Sequence, residues 1–430
     1  MAKKNVFVIG LNDFYLDMLK TVRGAEDIAF HGLIDLEKVY APERFDIGEI
    51  MREAKRTLDS FDGTIDGIIN YWDFPSSTVV PILQNKHNRR GADLEHVLMC
   101  EHKYWSRVKQ AEVVPENVPR FAGVDPFADD VAAQVAHLRR PFWLKPIKAH
   151  SSHLGFRVES DADLDHAIQE IRPQIGRFGE PFNRILDEAD IPQTFRQVGG
   201  MHCIAEEIID GRQCTLEGYV FQGDLRVYGV IDTTSVASSL TSYRYPSSLP
   251  RAVQNRMETI AKTVMEHIGF NNSPFNIEFF WDEAADQVWL LEVNPRISKS
   301  HCPEFWMVEG HSHQEVAVDI ALDRHPTFPH GEGKFAKGAK FMVRTFDHAD
   351  GLVKATPSAD EIARVKATFP EALIDVDVEA GRRLSEHRNQ DSYSYQLAEI
   401  FLGGEDDADV ERKYDRALEM LTFDIAPIEA

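Results

Sequence analysis

The sequence predicts a mixed α/β (α+β) protein of several units, on three observations. Its 430 residues correspond to about three domains at roughly 150 residues each. Near the N-terminus, apolar runs at 5–9 (NVFVI) and 65–70 (IDGIIN) alternate with helical stretches near 13–20 and 46–58, the βαβ order that builds a parallel sheet. Past the proline-bearing segment 113–126 the pattern turns strand-rich. An apolar content of 43% with 10% aromatics is ample for packed cores and excludes wholesale disorder.

The first strand runs into Gly10-Leu-Asn-Asp, which lacks the further glycines of a dinucleotide fingerprint, so no cofactor is expected at that turn. Residues 113–126 read as a linker into a second unit, about 124–205. That unit holds a strand at Phe142–Pro146, a loop from Ile147 to Leu154 closed by Gly155, and a strand at 201–208. The third unit opens with two strands within 213–232 around a Gln222-Gly223-Asp224 turn. A helix over about 251–268 places Met257, Ile260, Ala261, Val264, Met265 and Ile268 on one stripe and stops at Gly269. Two strands follow residue 275, then a looser region at 298–337, a strand at 339–346 and a last helix at about 408–421.

A net charge of −23 argues against nucleic acid as a partner, because such binding rests on Lys and Arg neutralising phosphate. It permits a small phosphorylated ligand held by a few local cations, and most of the acidic excess reads as solvated surface. Four cysteines without metal-finger or CxxC spacing suit free thiols in a reducing, cytoplasmic setting. No stretch approaches the roughly 20 apolar residues of a membrane span. The opening residues lack a signal-peptide core, so no membrane partner is expected.

Chemistry concentrates in Asn276-Ile-Glu-Phe-Phe-Trp281 and Trp289-Leu-Leu-Glu-Val-Asn-Pro-Arg296. Paired as a regular hairpin that sets Glu278 opposite Glu292, these segments put Ile277, Phe279, Trp281, Trp289, Leu291 and Val293 on one apolar, buried face. The other face carries Asn276, Glu278, Glu292 and Asn294, with Phe280 and Leu290 nearer the turn. Facing glutamates repel across a strand pair. An oxygen-seeking cation removes that cost, and Glu/Glu/Asn is a hard-ligand set for Mg²⁺ shared with phosphate oxygens. The alternative is a solvent-facing acidic pair on an edge hairpin. Arg296, two residues beyond Asn294, suits bidentate grip of a carboxylate or acyl phosphate. Lys145, among apolar neighbours in Trp-Leu-Lys-Pro, suits a nucleotide phosphate, against the alternative of a snorkelling side chain. The loop from Lys148 to Gly155 adds hydroxyls at Ser151 and Ser152, backbone N–H groups and two imidazoles.

Taken in order, these segments resemble the ATP-grasp superfamily. The matching pieces are Lys103 in CEHKYW, Lys145 in FWLKP, the loop 148–155, Glu206-Glu-Ile-Ile-Asp-Gly, Glu278 in NIEFF and Glu292-Val-Asn-Pro-Arg296. The resemblance covers roughly the whole chain and implies a three-module ATP-grasp architecture. A pre-grasp α/β domain would occupy 1–123, a small lid 124–205, and a larger C-terminal domain 206–430, with ATP between the last two. It further implies that Lys103 and Lys145 contact the nucleotide phosphates, with Ser151 and Ser152 in the phosphate loop. Glu206 would accept from the adenine amino group, with backbone at Glu207 and Ile209 reading the ring edge. Gln213 stands where relatives often have a Glu or His for the ribose. Glu278, Glu292 and Asn294 would hold Mg²⁺, two ions in number, with Mn²⁺ as the alternative metal.

Residues 339–346 and 376–421 resemble the final region of the biotin-carboxylase branch, where Arg344 matches an active-site arginine; a cross-strand ion pair is its other reading. Two departures stand out. The loop 148–155 has one glycine where many relatives have four or more. Ser300 stands where biotin carboxylases carry the acid that bicarbonate deprotonation needs, and no biotin-carrier segment is present in the sequence.

The resemblance therefore implies a carboxylate–amine ligase acting on an amino acid or other small carboxylate. The carboxylate takes the γ-phosphate of ATP, and an amine, with a thiol as the lesser alternative, displaces phosphate from the acyl phosphate. Catalysis would be positioning and charge neutralisation by Lys145, Arg296 and Arg344. A bicarbonate-using carboxylase and a nucleotide-binding regulator without turnover are the other readings. Lys299, Ser300 and Tyr243-Arg-Tyr-Pro246 are candidates for substrate recognition. Cys302, with no evident base, is expected to be a bystander, and His301, His311 and His313 read as a polar loop rather than a metal cluster. A homodimer is the default assembly.

Overall fold

The computed structural model describes residues 3–40, 42–149, 154–236, 239–346, 350–387 and 394–428. Strands β1 (Lys4–Ile9), β2 (Ile28–Ile34) and β3 (Gly67–Ile69) form a parallel sheet in the order β2-β1-β3. Helices Asp13–Leu19 and Ile47–Asp59 fall where the periodicity predicts them. The sequence pattern missed β2, whose polar His31 and Gly32 interrupt its apolar run.

Strands β4 (Phe121–Val124), β5 (Phe142–Pro146), β6 (Phe156–Val158) and β7 (Cys203–Glu207) make an antiparallel sheet in the order β4-β7-β5-β6. The segment 113–126, expected to be a linker, is therefore structured. It holds a 3₁₀ turn at Pro115–Asn117 and then β4. The helix Gly176–Leu186 does not pack only on this sheet. Its Phe182 and Phe178 enter the core of the N-terminal unit, against Phe74 and Phe45 at ring distances of 5.7 and 5.2 Å.

The rest of the chain supplies β8 (Arg212–Phe221), β9 (Asp224–Val236), β10 (Ser239–Tyr245), β11 (Ser273–Asp282), β12 (Gln287–Asn294), β13 (Lys337–Thr345), β14 (Gly351–Ala355), β15 (Leu373–Val376), β16 (Tyr395–Gly404) and β17 (Asp424–Pro427). Eight of them form one antiparallel sheet in the order β12-β11-β8-β9-β10-β13-β16-β15. Gln222 and Gly223 join β8 to β9 with φ of 52° and 84°, the left-handed pair that a two-residue hairpin turn requires. The helix Arg251–Ile268 buries its predicted stripe and ends at Gly269, φ 77°. The C-terminal helix is observed at Asp407–Leu418.

Two expectations fail here for physical reasons. The region 298–337 is not loose: it contains the helices Cys302–Glu309 and Gln314–Ala321. Most of their residues are buried on every side, so they lack the one-sided apolar stripe that periodicity detects. The β11–β12 hairpin is also not regular. Asn276, Ile277 and Glu278 pair with Asn294, Val293 and Glu292 as predicted, but a bulge then sets Phe279 opposite Leu290. One extra residue flips the faces beyond it. Leu290 and Val288 are consequently the buried partners of Phe279 and Trp281, and Leu291 and Trp289 are only half-buried.

Register also fixes one long polar face. Residues directly opposite in antiparallel strands share a face. Glu292 faces Glu278, Glu278 faces Thr215, Gln213 faces Thr233, Thr233 faces Tyr243, and Tyr243 faces Lys340.

Candidate active site

The acidic end of that face brings together Lys103, Gln213, Glu278, Glu292 and Asn294. Glu278 sits opposite Glu292, and its partners are amides: Gln213 Nε2 donates to it at 3.1 Å and Asn294 Nδ2 lies 3.5 Å away. Burial, followed by the neighbouring Glu292, pushes the Glu278 carboxyl up to about 7. Glu292 goes the other way. Burial alone would raise it, but Lys103, Lys145 and Lys148 hold it below the usual range. Lys103 Nζ, at the start of the helix Lys103–Val113, lies 3.0 Å from Glu292 and donates to the Ala149 carbonyl at 3.1 Å.

Lys145 and Glu206 are tied together. On adjacent strands β5 and β7, Lys145 Nζ is 2.6 Å from one Glu206 oxygen, and Arg107 Nε donates to the other. Against the burial cost, Arg107 and Lys145 hold Glu206 down to about 2, so its carboxylate is ionised and engaged by two cations. Glu207 pairs through its side chain with Arg139 at 2.8 Å. Ile209, just past β7, and Gln213, in β8, are half-buried beside this strand. Ser151 and Ser152 lie outside the described residues.

Arg296 turns back to the N-terminal unit. Its Nε and Nη2 both donate to Asp73 Oδ1, the former at 2.8 Å, and Asn276 Nδ2 donates to its backbone carbonyl at 3.0 Å. Arg344 stands on β13, farther along the sheet. It donates to the Leu240 carbonyl at 2.6 Å, Ser394 Oγ at 2.8 Å and Gln396 Oε1 at 3.0 Å.

Four functional neighbours escaped sequence reading as site residues. Asp73 grips Arg296 from the loop after β3. Lys148 forms a buried pair with Glu101, and burial pushes its ammonium down to about 8 despite Asp73 and Glu292 nearby. Arg107 joins Glu206 to the β12 edge by donating to the Leu290 and Leu291 carbonyls at 3.0 and 2.6 Å. Of these, only Lys148 carried a signal, standing in the loop that reads as a phosphate loop; Glu101, Asp73 and Arg107 carried none without the fold.

His301 and His313 both lie against Glu217, the latter at 3.9 Å, while His311 stands apart. His301 Nδ1 is 2.8 Å from the fully buried Glu217, His313 bonds the Ser298 carbonyl and Tyr228, and His311 contacts Thr21 and Glu332. Among the described residues no group of three His, Cys, Asp or Glu side chains could hold a metal ion. Any metal here rests on two carboxylates and an amide. All four cysteines are free and buried, and burial pushes the Cys302 thiol far up, which makes it a poor nucleophile.

The fold is that of the ATP-grasp enzymes. Residues 138–304 match the ATP-grasp domain family, so the chain carries an ATP-grasp domain. In solved structures the chain is similar to an L-amino acid ligase from Bacillus licheniformis, at 15% identity over 99% of both chains with a TM-score of 0.72. It is also similar to a biotin carboxylase from Campylobacter jejuni, at 14% identity over 98% of this chain and 92% of that one, TM-score 0.64. A urea amidolyase from Saccharomyces cerevisiae is 25% identical over 268 residues, a stretch taking in 61% of this chain but only 13% of that protein. No helix among the described residues is long and apolar enough to cross a membrane.

Proposed function

We propose that the protein is an ATP-dependent carboxylate–amine ligase that forms a C–N bond through an acyl phosphate and releases ADP and phosphate. The observation that carries this reading is the gathering of Lys103, Lys145, Lys148 and Arg296 around Glu278 and Glu292 on one partly buried face. The carboxylate of an amino acid or other small acid attacks the γ-phosphorus, and the bond to the ADP oxygen breaks. The amine nitrogen then attacks the acyl carbon, phosphate departs, and the nitrogen loses a proton. Lys103, Lys145 and Lys148 neutralise phosphate charge, and Arg296 orients the carboxylate; none forms a covalent bond. Arg344 serves the acceptor end of the same face.

The donor set fits Mg²⁺, with Mn²⁺ as the alternative. Glu278 is a half-buried carboxylate without an ion pair among the described residues, opposite a second carboxylate, and Asn294, whose Nδ2 lies beside Glu278, would turn its hard amide oxygen to the ion. When bound there, the metal would share its coordination with phosphate oxygens and spread their charge.

Incubation with ATP, Mg²⁺ and pooled small carboxylates and amines tests the reading. ADP and phosphate are expected only when both substrate classes are present, and hydroxylamine is expected to capture the acyl group as a hydroxamate. AMP with pyrophosphate, or turnover on bicarbonate and biotin alone, would overturn it.

Arg296→Lys keeps the charge but loses the planar fork. It is expected to raise KM for the carboxylate about tenfold or more, with KM for ATP little changed. An unchanged carboxylate KM would remove Arg296 from the site.

A further inference from the structure

Beyond Tyr243 the polar face of the large sheet carries a second charged cluster. Lys340 on β13 lies 2.6 Å from Glu399 Oε1 and 3.2 Å from Ser300 Oγ, over the rings of Phe401 and Tyr243. Gln396 Nε2 donates to Glu399 at 3.1 Å and to Asp377 at 2.9 Å, while its carbonyl accepts from Arg344. Asp375 pairs across from Glu399 on β15. Asp375 and Asp377 are exposed, Glu399 is half-buried, and Lys340 is buried, so the cluster opens to solvent at its acidic rim.

The floor holds the telling residue. Glu304, on the helix Cys302–Glu309 packed against β13, is fully buried, and neither of its carboxylate oxygens has a hydrogen-bond partner. Burial pushes it up to about 8, with Lys340 acting against that rise and Glu399 adding to it. An unpartnered buried carboxyl costs free energy unless something pairs with it in another state of the protein. The nearby cation is Lys340, and Lys340 is already committed to Glu399.

The described cations are taken up without reaching Glu304. Glu399, Asp375 and Asp377 share Lys340, Lys299 and the Arg344 guanidinium that reaches Gln396, Lys299 sits 4.7 Å over the Trp72 ring with its Nζ 3.3 Å from Tyr15 Oη, and the buried Glu304 carboxyl has no hydrogen-bond partner among them. The same face leads back through Tyr243 and Thr233 to Gln213 and Glu278.

We propose that this cluster binds the amine-bearing substrate, and that it selects one carrying a second cationic group: a diamine or a basic amino acid. Asp377 and Glu399 receive the ligand's cation, and Lys340, released from Glu399, turns to Glu304, which gives up its proton to solvent. One ion pair within the protein is thus replaced by one within it and one to the ligand. The inference rests on the ligase reading of the neighbouring site only for the fate of the amine; binding of a cation does not depend on it.

Calorimetric titration of the full chain, saturated with ADP and Mg²⁺, tests this with L-lysine, L-ornithine and putrescine against glycine and L-aspartate. The three cationic probes are expected to bind about tenfold or more tightly than glycine or aspartate. Glu399→Gln and Asp377→Asn are expected to remove that preference while ADP still binds; Asp377 is exposed, so its variant keeps the test open if Glu399→Gln misfolds. Equal or tighter binding of aspartate, or a preference that survives Asp377→Asn, overturns the proposal. ADP release assays run in parallel separate the two readings. Cation binding without turnover on any carboxylate–amine pair leaves this site standing and sinks the ligase. Turnover with neutral acceptors and no cation preference does the reverse.

Discussion

Glu292→Gln is expected to lower ATP turnover by about 10²–10³-fold while leaving the folded chain intact. The reasons lie in the pair itself. Glu292 is the carboxylate of the two that is held ionised, by Lys103, Lys145 and Lys148, so it carries the charge available to a metal at neutral pH. Replacing it with the isosteric amide removes that charge and also relieves the burial-assisted crowding that pushes Glu278 up to about 7. Thermal unfolding should therefore change little, because lost pairing with Lys103 is offset by lost repulsion. Initial rates of ADP formation, with circular dichroism as the folding control, decide the matter. Full activity in this variant would refute the metal assignment.

Arg107→Ala is expected to cost about 3 kcal/mol of stability. Arg107 is buried, pairs with Glu206, and caps two carbonyls on the edge strand β12. Its removal leaves Glu206 on Lys145 alone and exposes a strand edge to unpaired burial. The acid response gives a second readout. Glu206 is lowered from 4.5 to about 2 in the folded state, so its contribution is present above pH 4.5 and is lost as pH falls toward 2. Denaturant midpoints measured from pH 6 down to 2.5 should fall less steeply in Arg107→Ala than in the parent. Parallel slopes would mean that Lys145 alone sets the Glu206 carboxyl.

Much of the site was readable before any fold was known, because its chemistry is carried by short segments. Glu278 and Glu292 stand in one hairpin, and their pairing followed from strand alternation alone. Lys145 declared itself by being charged inside an apolar strand. The bulge after Glu278 was not readable: Leu290 and Leu291 are equally apolar, so composition cannot say which of them turns inward. The helices at 302–309 and 314–321 were missed because burial on all sides erases periodicity. Asp73 and Arg107 were missed for a different reason. Each acts on a residue far along the chain, Arg296 and Glu206 respectively, and nothing local distinguishes an Asp or Arg with a buried partner from a solvated one.

Sequence by itself carried the facing of Glu278 and Glu292 in one hairpin, the β-strand at Phe142–Pro146 that bears Lys145, and a net charge of −23. Those properties are local, or sums over the chain. Tertiary structure decided how the charges pair. It placed Glu206 between Arg107 and Lys145, turned Arg296 onto Asp73, and left Glu304 buried with no hydrogen-bond partner near Lys340. Electrostatic energy depends on distance and burial, and both are set only when strands far apart in the chain are brought into one sheet.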